Sequence, residues 1–323
     1  MPYLGPVLYS PPPKFRGRSV ARRGRGLFLM TVAGILLTVA AGRLLLRAKG
    51  RKTPPATAQT PASPKPDSIR KAPLRYAPPT GQIDLTDTTS TAVFMPTASG
   101  RIESALYGST RTRMTGGRAR AAFHEGVDIA PLQRDRRGKP LDPVLAVTTG
   151  TVAYISRHAG NSTYGIYVVL RHKDPVGDVY TLYAHLASVS PNLAVGQPIA
   201  AGDPVGLLGN TGDAIPMSRA HLHFEIGTIA NNRFPEWYRR QRLKPDHGIG
   251  HGWNLWGIDP LAVFSGPDPS PLFSMEDYLL KTPAAFDLVI KGTGPIDYFR
   301  RYPSLWKGDR PPEDSPGVVL SVS

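Results

Sequence analysis

The sequence predicts an all-β, antiparallel domain, and three observations lead to that expectation. Between Asp84 and Gly266, short apolar runs rich in Val, Ile, Tyr and Thr alternate with turns that carry glycine, as strands joined by hairpins do. No stretch in that interval shows a helical period of useful length. The chain has no cysteine, so its core must hold without covalent staples, which a domain of this size can manage by apolar burial.

The strand candidates follow one another in order. They are Val144 to Ile155 (VLAVTTGTVAYI), Tyr164 to His172 (YGIYVVLRH), Val179 to Leu186 (VYTLYAHL), Val195 to Asn210 (VGQPIAAGDPVGLLGN) and the string beginning at His221 (HLHFEIG). Glycines at 196 and 202 bound short strands in the fourth. That piece would equally suit a carrier domain of the barrel-sandwich type with no chemistry, and fold alone does not choose between them. Past Pro267 the pattern changes, and Met275 to Phe286 reads as one short helix in a C-terminal extension, 267–323, whose last residues read as mobile.

Ahead of the β region lies a segment of different character. Leu27 to Gly42 holds no charge, and Leu44, Leu45 and Leu46 extend the run past Arg43. As a helix, 27–46 would be about 30 Å long, the thickness of a hydrocarbon core. Arg43 lies near its end, where a long side chain can snorkel to the headgroups. The run is apolar on all sides, unlike a surface helix of a soluble protein. Six basic residues precede it (residues 1–26) and five follow closely, which leaves a weak preference for an inside N-terminus. An uncleaved anchor is the expectation; a cleaved signal peptide ending near Val39-Ala40-Ala41 is the alternative. The next segment, 47–83, is rich in proline and reads as an extended tether. A β domain over 84–266, with an insertion at 231–256, would follow.

The net charge of +15 invites a nucleic-acid reading. However, residues 1–75 hold 15 Lys and Arg against one Asp, and the rest of the chain holds 24 against 23. The basicity belongs to the N-terminal segment, so no nucleic-acid partner is expected for the folded domain.

Candidate chemistry sits in three strings. FHEGVDIA (Phe123 to Ala130) holds His124 and Asp128, with Gly126 expected to supply an unusual backbone angle between them. AHLHFEIG (Ala220 to Gly227) holds His221 and His223. Strand alternation puts these on one face, about 7 Å apart, and puts Leu222 and Phe224 on the other, toward the core. TLYAHL holds His185, on a face shared with Thr181 and Tyr183. Imidazole nitrogen and carboxylate oxygen suit zinc, and a catalytic zinc takes three protein ligands and leaves a position for water. Each string alone is weak evidence: a lone HxH is usually two satisfied histidines, and HxxxD or YxHL less than that. Their joint presence in a β-rich frame is harder to obtain by chance.

In these strings, from about Gly100 to Leu261, the chain resembles the lysostaphin/LytM-type zinc metallopeptidases of bacterial cell walls. HEGVD, YAHL and HLHFE with GNTG upstream carry the resemblance. It implies one zinc per chain bound by His124, Asp128 and His223, with His185 and His221 as two unligated catalytic histidines. Which of them acts as base is left open. It also implies a peptidoglycan substrate whose peptide cross-links are cut, though not which bond. With the anchor, the expected location is the bacterial inner (cytoplasmic) membrane, single-pass, with the domain facing the periplasm and cell wall. Tyr183 is assigned to packing. His158, His172, His247 and His251 are read as structural, and Glu125 as pointing away on the opposite strand face.

The sequence departs from the family pattern in places. The loop between Gly212 and His221 is longer and lacks the usual Gly-Pro. A basic string, Arg134 to Lys139, follows the first motif. The insertion, about Asn231 to Trp256, carries Trp237, Tyr238, Trp253 and Trp256 beside Arg239, Arg240, Arg242 and Lys244. These segments bear on specificity, since all five site residues are present. Two other functions compete with the hydrolase. One is a non-enzymatic regulator of other wall hydrolases, which should have lost one of the three ligands. The other is a binding module with incidental histidines, which should hold no metal.

Overall fold

The alternating runs do become strands. The computed structural model describes residues 72–323 apart from 116–117, 213–214, 244–246, 269, 292–296, 308–316 and 323. The expected anchor at 27–46 and most of the tether lie outside the described residues. Among the described residues, no helix is long and apolar enough to cross a membrane.

The first strand, β1 (Leu74–Arg75), precedes a hairpin of β2 (Thr110–Thr115) and β3 (Arg118–Phe123). Next come β4 (Val127–Ile129), β5 (Pro143–Leu145), β6 (Gly150–Ser156), β7 (Ile166–Asp174) and β8 (Gly177–Leu186). Three short strands, β9 (Ser188–Val189), β10 (Pro198–Ile199) and β11 (Pro204–Leu207), lead to β12 (Leu222–Ile229). The insertion contributes α1 (Phe234–Arg240) before β13 (Leu255–Ile258). The C-terminal stretch holds β14 (Leu272–Phe273), α2 (Met275–Lys281), β15 (Phe286–Lys291), α3 (Asp297–Arg301) and β16 (Gly317–Val322).

The main sheet runs β10-β6-β7-β8-β12-β13, and β4 also pairs with β12. All these pairs are antiparallel. A second sheet, β5-β11-β9, lies beside it in the chain order. Period-2 alternation gives the main sheet two different faces. Leu222, Phe224, Ile226, Val168, Leu170 and Tyr183 enter the large core. Tyr167, Val169, Leu182, Ala184 and Ile229 form a smaller cluster with Tyr164 and Leu255. Burying each large apolar side chain contributes about 1.5–3 kcal/mol. Leu222 and Phe224 are fully buried, as alternation predicts.

The C-terminal stretch packs into the same core, through Met275, Tyr298, Phe299 and Tyr302. β14 pairs with β1. The Tyr302 hydroxyl donates to the Asp178 carbonyl at 2.7 Å and accepts from Ile229 N–H at 2.8 Å. The helix expected over 275–286 stops at Lys281. Ser274 caps its start by accepting from Asp277 N–H at 3.1 Å, and Pro283 cannot continue it. Phe286 then opens β15, which pairs with β16.

Candidate metal centre

Asp128 and His223 meet because β4 pairs with β12 so that these two residues stand opposite each other. Directly opposed residues project side chains to the same face. His124 enters from the turn between β3 and β4. That turn passes so close to β12 that a Cβ on Gly126 would lie 2.3 Å from the Phe224 carbonyl oxygen. Gly126 is therefore needed for room; its backbone is not among the left-handed glycines, contrary to the expected unusual angle.

The ligand atoms converge. His124 Nε2 lies 3.1 Å from Asp128 Oδ1 and 3.1 Å from His223 Nδ1, and His223 Nδ1 lies 3.0 Å from Asp128 Oδ1. All three residues are buried. The other ring nitrogens are already engaged: His124 Nδ1 donates to the Leu106 carbonyl at 2.9 Å, and His223 Nε2 to Glu225 Oε1 at 2.8 Å. As neutral tautomers, both imidazoles therefore turn bare lone pairs toward Asp128 Oδ1. With His223 deprotonated, three acceptors aimed at one point could hold a cation. The donor set of two nitrogens and one carboxylate oxygen fits zinc. His124, Asp128 and His223 are the only such metal-capable group among the described residues.

The surrounding charges agree with that reading. Burial opposes the charged forms of both Asp128 and His223. His124, His221 and His223 nevertheless hold the Asp128 carboxyl well below the usual carboxylate range. The carboxylates of Asp128 and Glu225 outweigh burial at His223 and push it up to about 10. A site that draws a proton this strongly onto an imidazole is one built for positive charge. Arg111 NH2 holds the outer oxygen of Asp128 at 2.6 Å, which turns Oδ1 inward.

The two remaining histidines stand beside this group. The His185 and His221 rings are 4.9 Å apart, and His185 is 5.7 Å from His223. His185 Nδ1 donates to the Thr211 carbonyl at 2.8 Å, and His221 Nδ1 to the Arg219 carbonyl at 2.7 Å. Each Nε2 is thus a lone pair, and that of His221 lies 3.5 Å from Asp128 Oδ1. Burial lowers the pKa of both, so both are neutral imidazoles at neutral pH. The Arg219 carbonyl sits in a loop pinned by Arg134, which donates to the carbonyls of Met217 (2.9 Å), Ser218 (3.3 Å) and Ala220 (3.2 Å). The basic string after the first motif thus braces the approach to His221.

His185 reaches the site by a route that alternation does not describe. Tyr183 stands opposite Phe224 and Ala184 opposite His223, so simple alternation would send His185 to the core side with Tyr183 and Thr181. The register between β7 and β8 shifts in this region, and His185 has φ of 61°. That bulge and left-handed backbone turn the imidazole to the other face. Thr181 and Tyr183 stay in the core, hydrogen-bonded to each other at 3.1 Å, with the Tyr183 hydroxyl accepting from Val147 N–H at 3.0 Å. The shared face expected for all three is therefore corrected for His185, while Tyr183 does serve packing.

Two carboxylates were missed or misplaced. Glu225, two residues past His223 on the same face, orients the His223 ring. Glu125 was expected to point away, yet its carboxyl feels Glu225 and His223. Burial first, then repulsion from Glu225, raises it to about 7. His172 is structural: its nitrogens engage the Thr149 carbonyl at 3.0 Å and Thr181 Oγ1 at 2.8 Å. His247 and His251 are buried away from the metal group among Tyr154, Tyr167, Phe234 and Tyr238. Tyr164 links the two regions, with its ring 5.7 Å from His223 and 5.8 Å from His251.

Comparison with known proteins finds a similarity over this region. Residues 122–235 match the model of peptidase family M23. No curated protein matches the chain. Among solved structures, the chain is similar to a zinc-containing peptidase from Vibrio cholerae at 25% identity, over 41% of this chain and 35% of that one, with a TM-score of 0.29. It thus spans about a third of that protein. It is also similar to the catalytic domain of the antimicrobial peptidase lysostaphin from Staphylococcus simulans, at 22% identity over 50% of this chain and 90% of that one, with a TM-score of 0.31. A third is the catalytic domain of the prophage-encoded M23 protein EnpA from Enterococcus faecalis, at 18% identity over 37% and 81%, with a TM-score of 0.25. Residues 122–235, which hold all five candidate site residues, are thus the part of this chain that is similar to peptidase family M23.

Proposed function

We propose that this chain is a zinc metalloendopeptidase that hydrolyses peptide cross-links in bacterial peptidoglycan. One observation carries the proposal: three buried, inward-facing lone-pair donors meet within hydrogen-bond distance while two neutral imidazoles stand beside them. His124 Nε2, Asp128 Oδ1 and His223 Nδ1 would hold the zinc. When bound, zinc supplies Lewis acidity and a water whose pKa is brought near neutrality.

The chain's own residues prepare the rest. Arg111 and Glu225 fix the orientation of Asp128 and His223. The backbone carbonyls of Thr211 and Arg219 fix the tautomers of His185 and His221, so each presents Nε2 as a proton acceptor. A neutral imidazole there can take the proton of the attacking nucleophile and return it to the leaving amine. The buried setting strengthens each such interaction. A regulator that had lost a ligand is disfavoured, because all three ligand residues are present and converge.

The apolar run at 27–46 and the basic residues flanking it support a single-pass anchor in the inner membrane. The proline-rich tether would carry the domain toward the cell wall.

Purified peptidoglycan incubated with the full chain in detergent tests the activity. Soluble muropeptides should appear with zinc, disappear with chelator and be absent for His223→Ala, and their masses would identify the bond cut. No release by the zinc-loaded protein, or equal release by the variant, would sink the proposal. Removal of residues 1–46 should release the protein from the membrane fraction; retention would argue against the anchor.

A further inference from the structure

Two segments in which the sequence departs from the family pattern, the basic string at Arg134 and the loop before His221, meet in the fold. The Arg134 guanidinium donates to the carbonyls of Met217 at 2.9 Å, Ser218 at 3.3 Å and Ala220 at 3.2 Å, 83 to 86 residues along the chain. It also donates to the Gly138 carbonyl at 2.8 Å. Met217–Arg219 form a single 3-10 turn. Carbonyls at the end of so short a helix find few partners within it. Among the described residues, no other side chain donates to the carbonyls of Met217, Ser218 or Ala220.

Arg134 is itself held in place. The excursion that carries it is stapled by two aspartates. Asp142 is buried and accepts from Leu132 N–H at 2.8 Å and from Gln133 N–H at 3.1 Å. Asp135 accepts from Arg137 N–H at 2.8 Å and from Lys139 N–H at 2.9 Å. Arg134 also forms a β-bridge with Pro140. A guanidinium on so constrained a base presents its planar fork of donors at a fixed place.

Three of the four carbonyls from Met217 to Ala220 therefore lie on Arg134. The fourth, that of Arg219, accepts from His221 Nδ1 at 2.7 Å. Peptide units are planar, so holding the units on both sides restricts how far the Arg219 carbonyl can turn. A neutral imidazole carries its proton on one nitrogen only. With that proton on Nδ1, the bare Nε2 of His221 lies 3.5 Å from Asp128 Oδ1. Were the Arg219 carbonyl to turn away, the proton would be free to settle on Nε2, which then accepts nothing. We propose that Arg134 is a positioning residue: by holding the 217–220 turn it keeps the His221 proton on Nδ1 and Nε2 open as an acceptor. The proposal rests on the peptidase reading above, in which His221 moves a proton.

The test compares Arg134→Ala, Arg134→Gln and Arg136→Ala with the unmodified full chain in detergent. Arg136 is in the same string and exposed, so its removal takes away the same charge without the brace. Nitrogen NMR of histidine-labelled protein reads the tautomer, with the His221 signals identified by their loss in His221→Gln. The unmodified chain and Arg136→Ala should show a protonated Nδ1 and a bare Nε2, and Arg134→Ala a mixture of tautomers. On a soluble cross-linked muropeptide dimer, kcat should fall about tenfold in Arg134→Ala, part of the hundredfold or more that a positioned base contributes, with KM within about twofold. Zinc affinity by chelator competition should hold in every variant, and Arg136→Ala should keep its kcat. Arg134→Gln, which keeps bulk but not the fork, should move in the same direction by less, and it decides the matter if melting shows that the alanine variant does not fold. An unmoved tautomer, an unchanged kcat, an equal loss in Arg136→Ala, or an equal loss of zinc affinity would overturn the proposal. A moved tautomer with no cleavage by any form would sink the peptidase reading and leave the hold of Arg134 on His221 standing. Cleavage by the unmodified chain with the tautomer unmoved in the variants would do the reverse.

Discussion

Glu225 allows a quantitative test of how the metal centre is held. It is 1% exposed, and its Oε1 accepts from His223 Nε2 at 2.8 Å. This bond leaves Nδ1 as the lone pair that faces Asp128. Glu225→Gln keeps an oxygen that can accept the same proton, so the tautomer survives, but the negative charge is lost. A hydrogen bond to a charged group contributes roughly 1.5–3 kcal/mol and a neutral one roughly 0.5–1.5. The difference, about 1.4 kcal/mol, corresponds to about tenfold in zinc affinity. Glu225→Ala removes the acceptor as well and should approach a hundredfold, the upper end for such partners of metal-bound histidines. Competition against a chromophoric chelator at neutral pH measures both, and melting of the zinc-free proteins checks that they fold. If folded Gln and Ala variants bind zinc within about twofold of the unmodified protein, Glu225 does not set the His223 ligand and the reasoning fails.

Three further outcomes are expected. Arg111→Ala removes the 2.6 Å partner of the buried Asp128; discounted for the partial exposure of Arg111, this should cost roughly 2–3 kcal/mol without zinc and less with it, measured by denaturant midpoints in both states. His172 is fully buried and lowered from 6.5 to about 4. Its folded pKa lies below the unfolded one, so the unfolded state takes up the proton first and stability is lost as pH falls from about 6.5 toward 4. The loss between pH 7 and 5 should be about 2 kcal/mol, and an unchanged pH slope in His172→Gln would refute this. Gly126→Ala sets a methyl group against the Phe224 carbonyl, so it should destabilise the fold by about 1–3 kcal/mol and weaken zinc binding together, read by melting and by the chelator competition. A variant with both properties unchanged would show that the turn does not depend on that close approach.

Much of this architecture was legible because alternation is a local property. In HLHF, neighbouring side chains of a strand must point to opposite faces, so two histidines and two core residues could be separated without knowing the fold. The same rule failed at His185. A register shift and a left-handed backbone overrode it, and both depend on how β8 lies against β7. Glu225 could have been found, since it shares a face with His223 two residues away, but nothing local says that its carboxylate meets the ring. The packing of the C-terminal stretch left no local sign either: Tyr302 matters because it reaches Asp178 and Ile229 across long stretches of chain.

By itself, then, the sequence determined the β character of the domain, the sidedness of its strands and the types of donor available to a metal. Those follow from residue chemistry and the two-residue period of a strand. The tertiary structure decided which donors meet. His124 and His223 are 99 residues apart, yet their ring nitrogens stand 3.1 Å from each other. Only the pairing of β4 with β12, and the room that Gly126 leaves between them, brings those atoms to one point.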